Sequence, residues 1–202
     1  PLPVSKVLIQ LEKENLSIGE RVLAQGLQLT VRGQEKIGII GPNGIGKSTL
    51  LAKLQQLFNA KREISLGFMP QDYHKKLKLD LSPIAYLNQN GEKEELQKIQ
   101  SHLASLNFSY PEMQHQIRSL SGGQQGKLLL LDLVLRKPNF LLLDEPTRNF
   151  SPTSQPEIRK LFATYPGGLI TVSHDRRFLK EVCSTIYRLT EHGLEVVNLE
   201  DL

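Results

Sequence analysis

Between the apolar run KIGII at 36–40 and the helical pattern LLAKLQQLF at 50–58, the chain reads GPNGIGKST. Gly41, Gly46, Lys47 and Ser48 fit the spacing G-x-x-x-x-G-K-[ST]. Glycines let the backbone turn so that its N–H groups face inward and approach phosphate oxygens closely. A helix starting at the end of such a loop adds the positive end of its dipole. The Lys47 ammonium can then reach the outer phosphates of a nucleotide, and the Ser48 hydroxyl can ligate Mg²⁺. Asn43, Gly44 and Thr49 complete the candidate nucleotide-binding set within this stretch.

A second cluster is placed to meet the metal. In NFLLLDEP an apolar run ends in Asp144 and Glu145. A buried strand would deliver both carboxylates to the C-terminal edge of a sheet, where open α/β folds bind ligands. Asp144 suits Mg²⁺, directly or through water, and Glu145 can polarise an attacking water as a general base. Gln71, in MPQDY, has an amide that can touch Mg²⁺ or the water without adding charge; alone it reads equally as a loop glutamine. His174, after LITVS, can hydrogen-bond a terminal phosphate oxygen; alone it reads as a strand-end histidine.

The elements that would position these groups alternate. Short apolar runs at 36–40, 64–69, 140–143 and 169–172 read as buried strands, and Leu27, Leu29 and Val31 alternate with polar residues as a half-buried strand does. Helical patterns between them predict a parallel α/β sheet. The span 72–116 differs: it holds no buried-strand run, opens a helix at Ser82-Pro83, and repeats Leu96, Ile99, Leu103 and Leu106 at helical spacing. It reads as a helical subdomain (72–116) inserted into a core of 1–71 and 117–202, all within one domain spanning 1–202.

Composition excludes other classes. Hydrophobic residues are 39% and charged residues 23%, as in a soluble globular chain. No apolar stretch reaches the roughly 18–20 residues needed to span a bilayer, and the N-terminal PLPVSKVLIQ lacks the apolar core of a signal peptide. A lone Cys183, expected to be buried, permits no internal disulfide and fits a cytoplasmic setting without membrane insertion. The net charge of +4 is spread over scattered lysines and arginines, so it predicts a solvated surface rather than a dedicated nucleic-acid groove.

LSGGQQGK at 120–127 brings these pieces together. Taken with GPNGIGKS, Gln71, LLLDEP and VSHD, in that order, the chain resembles ATP-binding cassette (ABC) ATPases, whose signature is LSGGQ. The resemblance implies an α/β P-loop NTPase fold: a RecA-like core with a parallel sheet, a small antiparallel β region near the N-terminus and the inserted helical subdomain. It implies ATP and Mg²⁺ as cofactors and ATP hydrolysis as the activity, with Glu145, His174 and Gln71 catalytic and Ser48, Gln71 and Asp144 at the metal. Ser121 can cap the helix beginning at 122–124, leaving a positive helix end outward. In the family this tip closes on the nucleotide of a second cassette, intramolecular or from another copy, so Ser121, Gly122, Gly123 and Gln124 are expected to act on the partner's ATP.

The wording GPNGIGKST, the short gap from Lys47 to Gln71, DEPTRN and VSHDRRFL are most similar to the ABC-F group. These are soluble twin-cassette proteins that act on ribosomes, and TRNFSPTS is similar to the form found among members that protect ribosomes from antibiotics. The branch implies the ribosome or its RNA as a partner, and a chain that corresponds to a C-terminal cassette. The core motifs leave a second expectation open, the energy-coupling subunit of a membrane transporter. Two departures stand out. The usual interface Asp is replaced by Ser151, and Ile18 stands where the family stacks adenine on an aromatic ring, so Ile18 or Val22 is expected to cover the base and to admit GTP nearly as well as ATP.

Overall fold

The computed structural model describes residues 1–88, 91 and 93–202. Gln89, Asn90 and Glu92 fall inside the expected insertion, Glu92 at the head of its main helical run, and lie outside the described residues.

Strands β1 (Val7–Ile18) and β2 (Arg21–Arg32) pair as an antiparallel hairpin. Leu27, Leu29 and Val31 of β2 are all at most 3% exposed, as their alternation predicts. The chain then alternates through β3 (Lys36–Ile40), α1 (Lys47–Asn59) and β4 (Leu66–Met69). Three helices come next, α2 (Pro83–Leu87), α3 (Lys93–Ser105) and α4 (Tyr110–Gln114), with no strand among the described residues of 72–116. The remaining elements are α5 (Gly122–Leu135), β5 (Phe140–Asp144), α6 (Gln155–Ala163), β6 (Gly168–Val172), α7 (Arg176–Val182), β7 (Thr185–Thr190) and β8 (Gly193–Val197).

The main sheet has the order β4-β5-β6-β3-β7-β8. All its neighbours are parallel except the edge pair β7–β8. Every residue of β5 and β6 is buried, which explains their unbroken apolar reading. Successive side chains on a strand point to opposite faces. Phe140 and Leu142 accordingly join the core formed with the hairpin and α1, where Phe140 stacks on Phe58 at 4.7 Å. Leu141 and Leu143 join the opposite core, formed with α5, α6, α7 and the helices between β4 and α5.

Those intervening helices are held to α5 by polar contacts as well as by shared apolar packing. Ser82 caps α2 by accepting the Ala85 N–H, with Pro83 in the first turn. The Tyr86 hydroxyl donates to Asp132 Oδ2 (3.2 Å), and the Lys127 ammonium, only 5% exposed, donates to the Leu106 carbonyl (3.0 Å). Ile99, Leu103 and Leu106 present one buried face of α3 and the turn after it.

Burial pushes the Cys183 thiol up to about 12, and the Tyr165 and Tyr86 hydroxyls up to about 12, the latter helped by Asp132. Each group keeps its proton in the folded chain over a range where the unfolded chain, with ordinary values of 9.0 for the thiol and 10.0 for the phenols, has lost it. The unfolded state then binds fewer protons, so stability is full below about pH 9 and falls as pH climbs toward about 12. Urea midpoints measured at about pH 8 and about pH 11 should differ, the alkaline one being lower; equal midpoints would contradict this burial.

Candidate functional site

The loop after β3 reaches α1 through left-handed backbone at Gly44 (φ 83°) and Gly46 (φ 112°). The φ at Gly46 is one that other residues rarely adopt, and a Cβ there would also press on Leu23 Cδ1 at 2.9 Å. Side chains cap the first turns of α2, α4, α5 and α7, but none caps α1. The first N–H groups of α1 therefore have no acceptor from their own helix or from a capping side chain, an arrangement suited to an anion. Lys47 is 7% exposed, and its ammonium donates to the carbonyls of Gly41 (2.5 Å) and Pro42 (2.9 Å), leaving a third N–H. Burial lowers its pKa, opposed by Glu145 and Asp144.

Asp144 ends β5, and its Oδ2 accepts from the Ser48 hydroxyl at 2.8 Å. Burial raises the Asp144 pKa against the pull of Ser48, Lys47 and Arg148. Glu145 comes next with φ 49°, a left-handed conformation uncommon for a non-glycine residue, while its N–H stays bonded to the Val172 carbonyl at 2.8 Å. The carboxylate is thereby turned toward His174, whose backbone N–H donates to Oε2 (3.3 Å) and whose Nε2 lies 3.3 Å from Oε1. The same Nε2 lies 3.1 Å from Asn43 Oδ1, so the imidazole bridges the phosphate loop and Glu145. Burial raises the Glu145 pKa, with His174 opposing.

These groups share one cleft of about 930 Å³. It is lined by Ile18, Asn43, Gly44, Gly46, Lys47, Ser48, Thr49, Gln71, Asp144, Glu145 and His174, so residues read from five separate stretches of sequence meet in one place. Ile18 stands at the mouth, 58% exposed. Val22 does not line the cleft; strand alternation turns Arg21 and Leu23 inward instead, a correction that only the β1–β2 register reveals. Sequence reasoning also missed Thr147, Arg148, Gln155 and Asp175 as lining residues. Ser48, Gln71 and Asp144 offer hard oxygen donors with a single carboxylate, which fits Mg²⁺, an ion that keeps several waters and binds phosphates rather than filling a protein cage.

Ser121, Gly122, Gly123 and Gln124 do not line this cleft. Ser121 caps α5, its hydroxyl accepting from the Gln124 N–H (3.2 Å), and Ser121 and Gly122 are exposed. The Gln124 side chain is turned back to Glu112 Oε2 (3.0 Å), and Glu112 is itself fixed in a capping box with Ser109. Tyr73, two residues past Gln71, donates its hydroxyl to the Gly122 carbonyl (3.0 Å) and accepts from Asn149 Nδ2 (3.4 Å). Gly126 admits this tyrosine, since a Cβ there would lie 2.7 Å from its hydroxyl.

The fold and cleft are those of a nucleotide-binding cassette, and comparison with known proteins gives the family. Residues 24–148 match the family model described as ABC transporter, and the chain belongs to that family. It is 30% identical over 96% of its length to the probable ATP-binding protein YheS of Escherichia coli K12, of which it covers 32%. It is 28% identical over 94% of its length to the ribosome protection protein VmlR of Bacillus subtilis 168, of which it covers 36%. The chain thus spans about a third of the length of these relatives. Among solved structures, the ATP-binding cassette MJ0796, dimeric in a post-hydrolysis state with ADP and Pi, superposes with a TM-score of 0.74 at 19% identity, covering 94% of this chain and 98% of that one. The last likeness speaks for the fold. Among the described residues no helix is long and apolar enough to cross a membrane.

A half-buried carboxylate whose ionised form is disfavoured by burial is held at a cost to stability. Glu145→Gln removes that cost and keeps the shape, so its urea midpoint at neutral pH should equal or exceed that of the parent chain. A clearly lower midpoint would mean that the carboxylate is part of the fold's own support.

Proposed function

We propose that the chain is an ATP-hydrolysing cassette that binds Mg-ATP in the Lys47 cleft and turns it over in a head-to-tail pair with a second cassette. The observation that carries this is the separation of the two anion-facing features. Lys47, Ser48, Asp144, Glu145 and His174 meet in one cleft, while the capped tip of α5 lies outside it and exposed. Each cassette then supplies a phosphate loop for its own nucleotide and the Ser121–Gln124 tip for its partner's.

Within the cleft, the open N–H groups of α1 and the third N–H of Lys47 bind the phosphates. Glu145 accepts a proton from a water as its oxygen attacks the terminal phosphorus; the bond to the bridging oxygen breaks, and ADP and phosphate result. His174, held against Glu145 and Asn43, is placed to donate to a terminal phosphate oxygen. Gln71 orients the water. Ser48, Gln71 and Asp144 would hold Mg²⁺, which when bound supplies positive charge beside the outer phosphates. Ile18 and Leu23 offer apolar cover for the base without stacking, so GTP is accepted nearly as well as ATP.

The larger setting is argued from the relatives. The ABC-F-like wording of the motifs, together with the likeness to a ribosome protection protein, supports a cytoplasmic role on the ribosome, either in translation or in antibiotic protection.

Lys47→Ala should abolish nucleotide binding. Glu145→Gln should bind ATP normally and lose at least about 100-fold in phosphate release. Wild-type hydrolysis per chain should rise with protein concentration. Normal turnover by Glu145→Gln would remove the general base from the scheme. Co-purification with a membrane protein instead of ribosomes would move the chain to a transporter.

A further inference from the structure

Beside Asp144 and Glu145 the chain places a cation that has no part in the hydrolytic scheme. Arg148 lines the cleft with Gln71, Asp144 and Glu145, on the side built by the ends of β4 and β5, whereas Ile18, Arg21 and Leu23 come from the hairpin. We propose that Arg148 is a specificity-determining contact for the third phosphate of the chain's own nucleotide, distinguishing triphosphate from diphosphate. The proposal rests on the reading of this cleft as a nucleotide site.

Three observations support it. First, the guanidinium is uncommitted: the residue is exposed, and among the described residues no hydrogen bond or ion pair engages its side chain. Second, the backbone that carries it is fixed. The Arg148 N–H donates to the Glu145 carbonyl (3.3 Å), Phe150, 7% exposed, donates its N–H to the Thr147 carbonyl (3.3 Å), and the Thr147 hydroxyl donates to Asp175 Oδ2 (2.9 Å). A long side chain on a pinned turn loses little freedom in binding beyond its own rotamers. Third, the charge in the cleft favours a further cation beside Lys47 and the Mg²⁺ that Ser48, Gln71 and Asp144 would hold. Asp144 is a buried carboxylate and Glu145 a half-buried one, and Lys47 has two of its three N–H groups on loop carbonyls. A terminal phosphate arriving there adds negative charge beside two carboxylates. Arg148 lines the same cleft as both carboxylates and carries the opposite charge, so it offsets that repulsion. A guanidinium also presents paired donors that match phosphate oxygens, where an ammonium offers a point charge.

The test uses the whole chain, dilute, titrated in Mg²⁺ with the non-hydrolysable β,γ-imido analogue of ATP and, separately, with ADP. Arg148→Ala should lose about tenfold or more in affinity for the triphosphate, as a charge-assisted contact does, and change by less than about twofold for ADP. Arg148→Lys should recover part of the loss. Equal losses for both nucleotides, or no loss for either, overturn the proposal while wild type binds both and Lys47→Ala binds neither. If wild type itself binds neither, the cassette reading falls and this proposal with it. A loss that emerges only as protein concentration rises would place Arg148 on the partner's nucleotide, which also overturns the assignment.

Discussion

The hydrogen bond from the Ser48 hydroxyl to Asp144, 2.8 Å long, ties the first turn of α1 to the end of β5 across an intervening strand. The site depends on that tie, and the tie depends on parallel strands. Because β3, β4, β5 and β6 run in one direction, the segments leaving their C-terminal ends emerge along one edge of the sheet. The phosphate loop comes after β3, Gln71 after β4 and His174 after β6, while the carboxylates close β5. Two carboxylates and a buried lysine in one cleft are an expensive arrangement. Glu145 adds a left-handed backbone to it. Such concentrations of strain and misplaced charge are what a binding or catalytic site tolerates and a core does not.

The tip of α5 is controlled from a different direction. Its opening residues are exposed, but the helix behind them is held firmly: Gln124 to Glu112, Lys127 to the Leu106 carbonyl, and Gly122 to Tyr73. Tyr73 is continuous with the Gln71 loop and accepts from Asn149, in the turn after Glu145. The cleft and the exposed tip are therefore joined through one short polar chain, Asn149 to Tyr73 to Gly122. A change in the cleft has a physical route to the exposed tip of α5. The helices between β4 and α5 act as the clamp that gives the tip its orientation.

Much of this is legible in the sequence where signals are local. The glycines and Lys47 mark the loop, and the all-apolar FLLL run before Asp144 marks a strand buried on both faces. Ser82-Pro83 marks a helix start, and Ser121 a cap. The signal fails where geometry comes from afar or where the period breaks. Strand β1 escapes a sequence reading because bulges between Leu11 and Leu16, with left-handed Lys13, interrupt its alternation. Strand β7 buries only Ile186 and Leu189 of its six residues, which does not read as a two-residue period. Placing Leu23 rather than Val22 in the cleft requires the hairpin register, and turning Gln124 to Glu112 requires a contact between separate helices.

On the proposed reading a complete site takes two cassettes, a phosphate loop from one and the α5 tip from the other. Two defective chains test it: Lys47→Ala, with an intact tip, and Gly122→Asp, with an intact loop. Each alone should be inactive. Mixed at equal concentration, they should regain phosphate release, since one pairing reunites a sound loop with a sound tip. A mixture as inactive as its components, with both variants folded and the Gly122→Asp chain still binding ATP, would contradict the account.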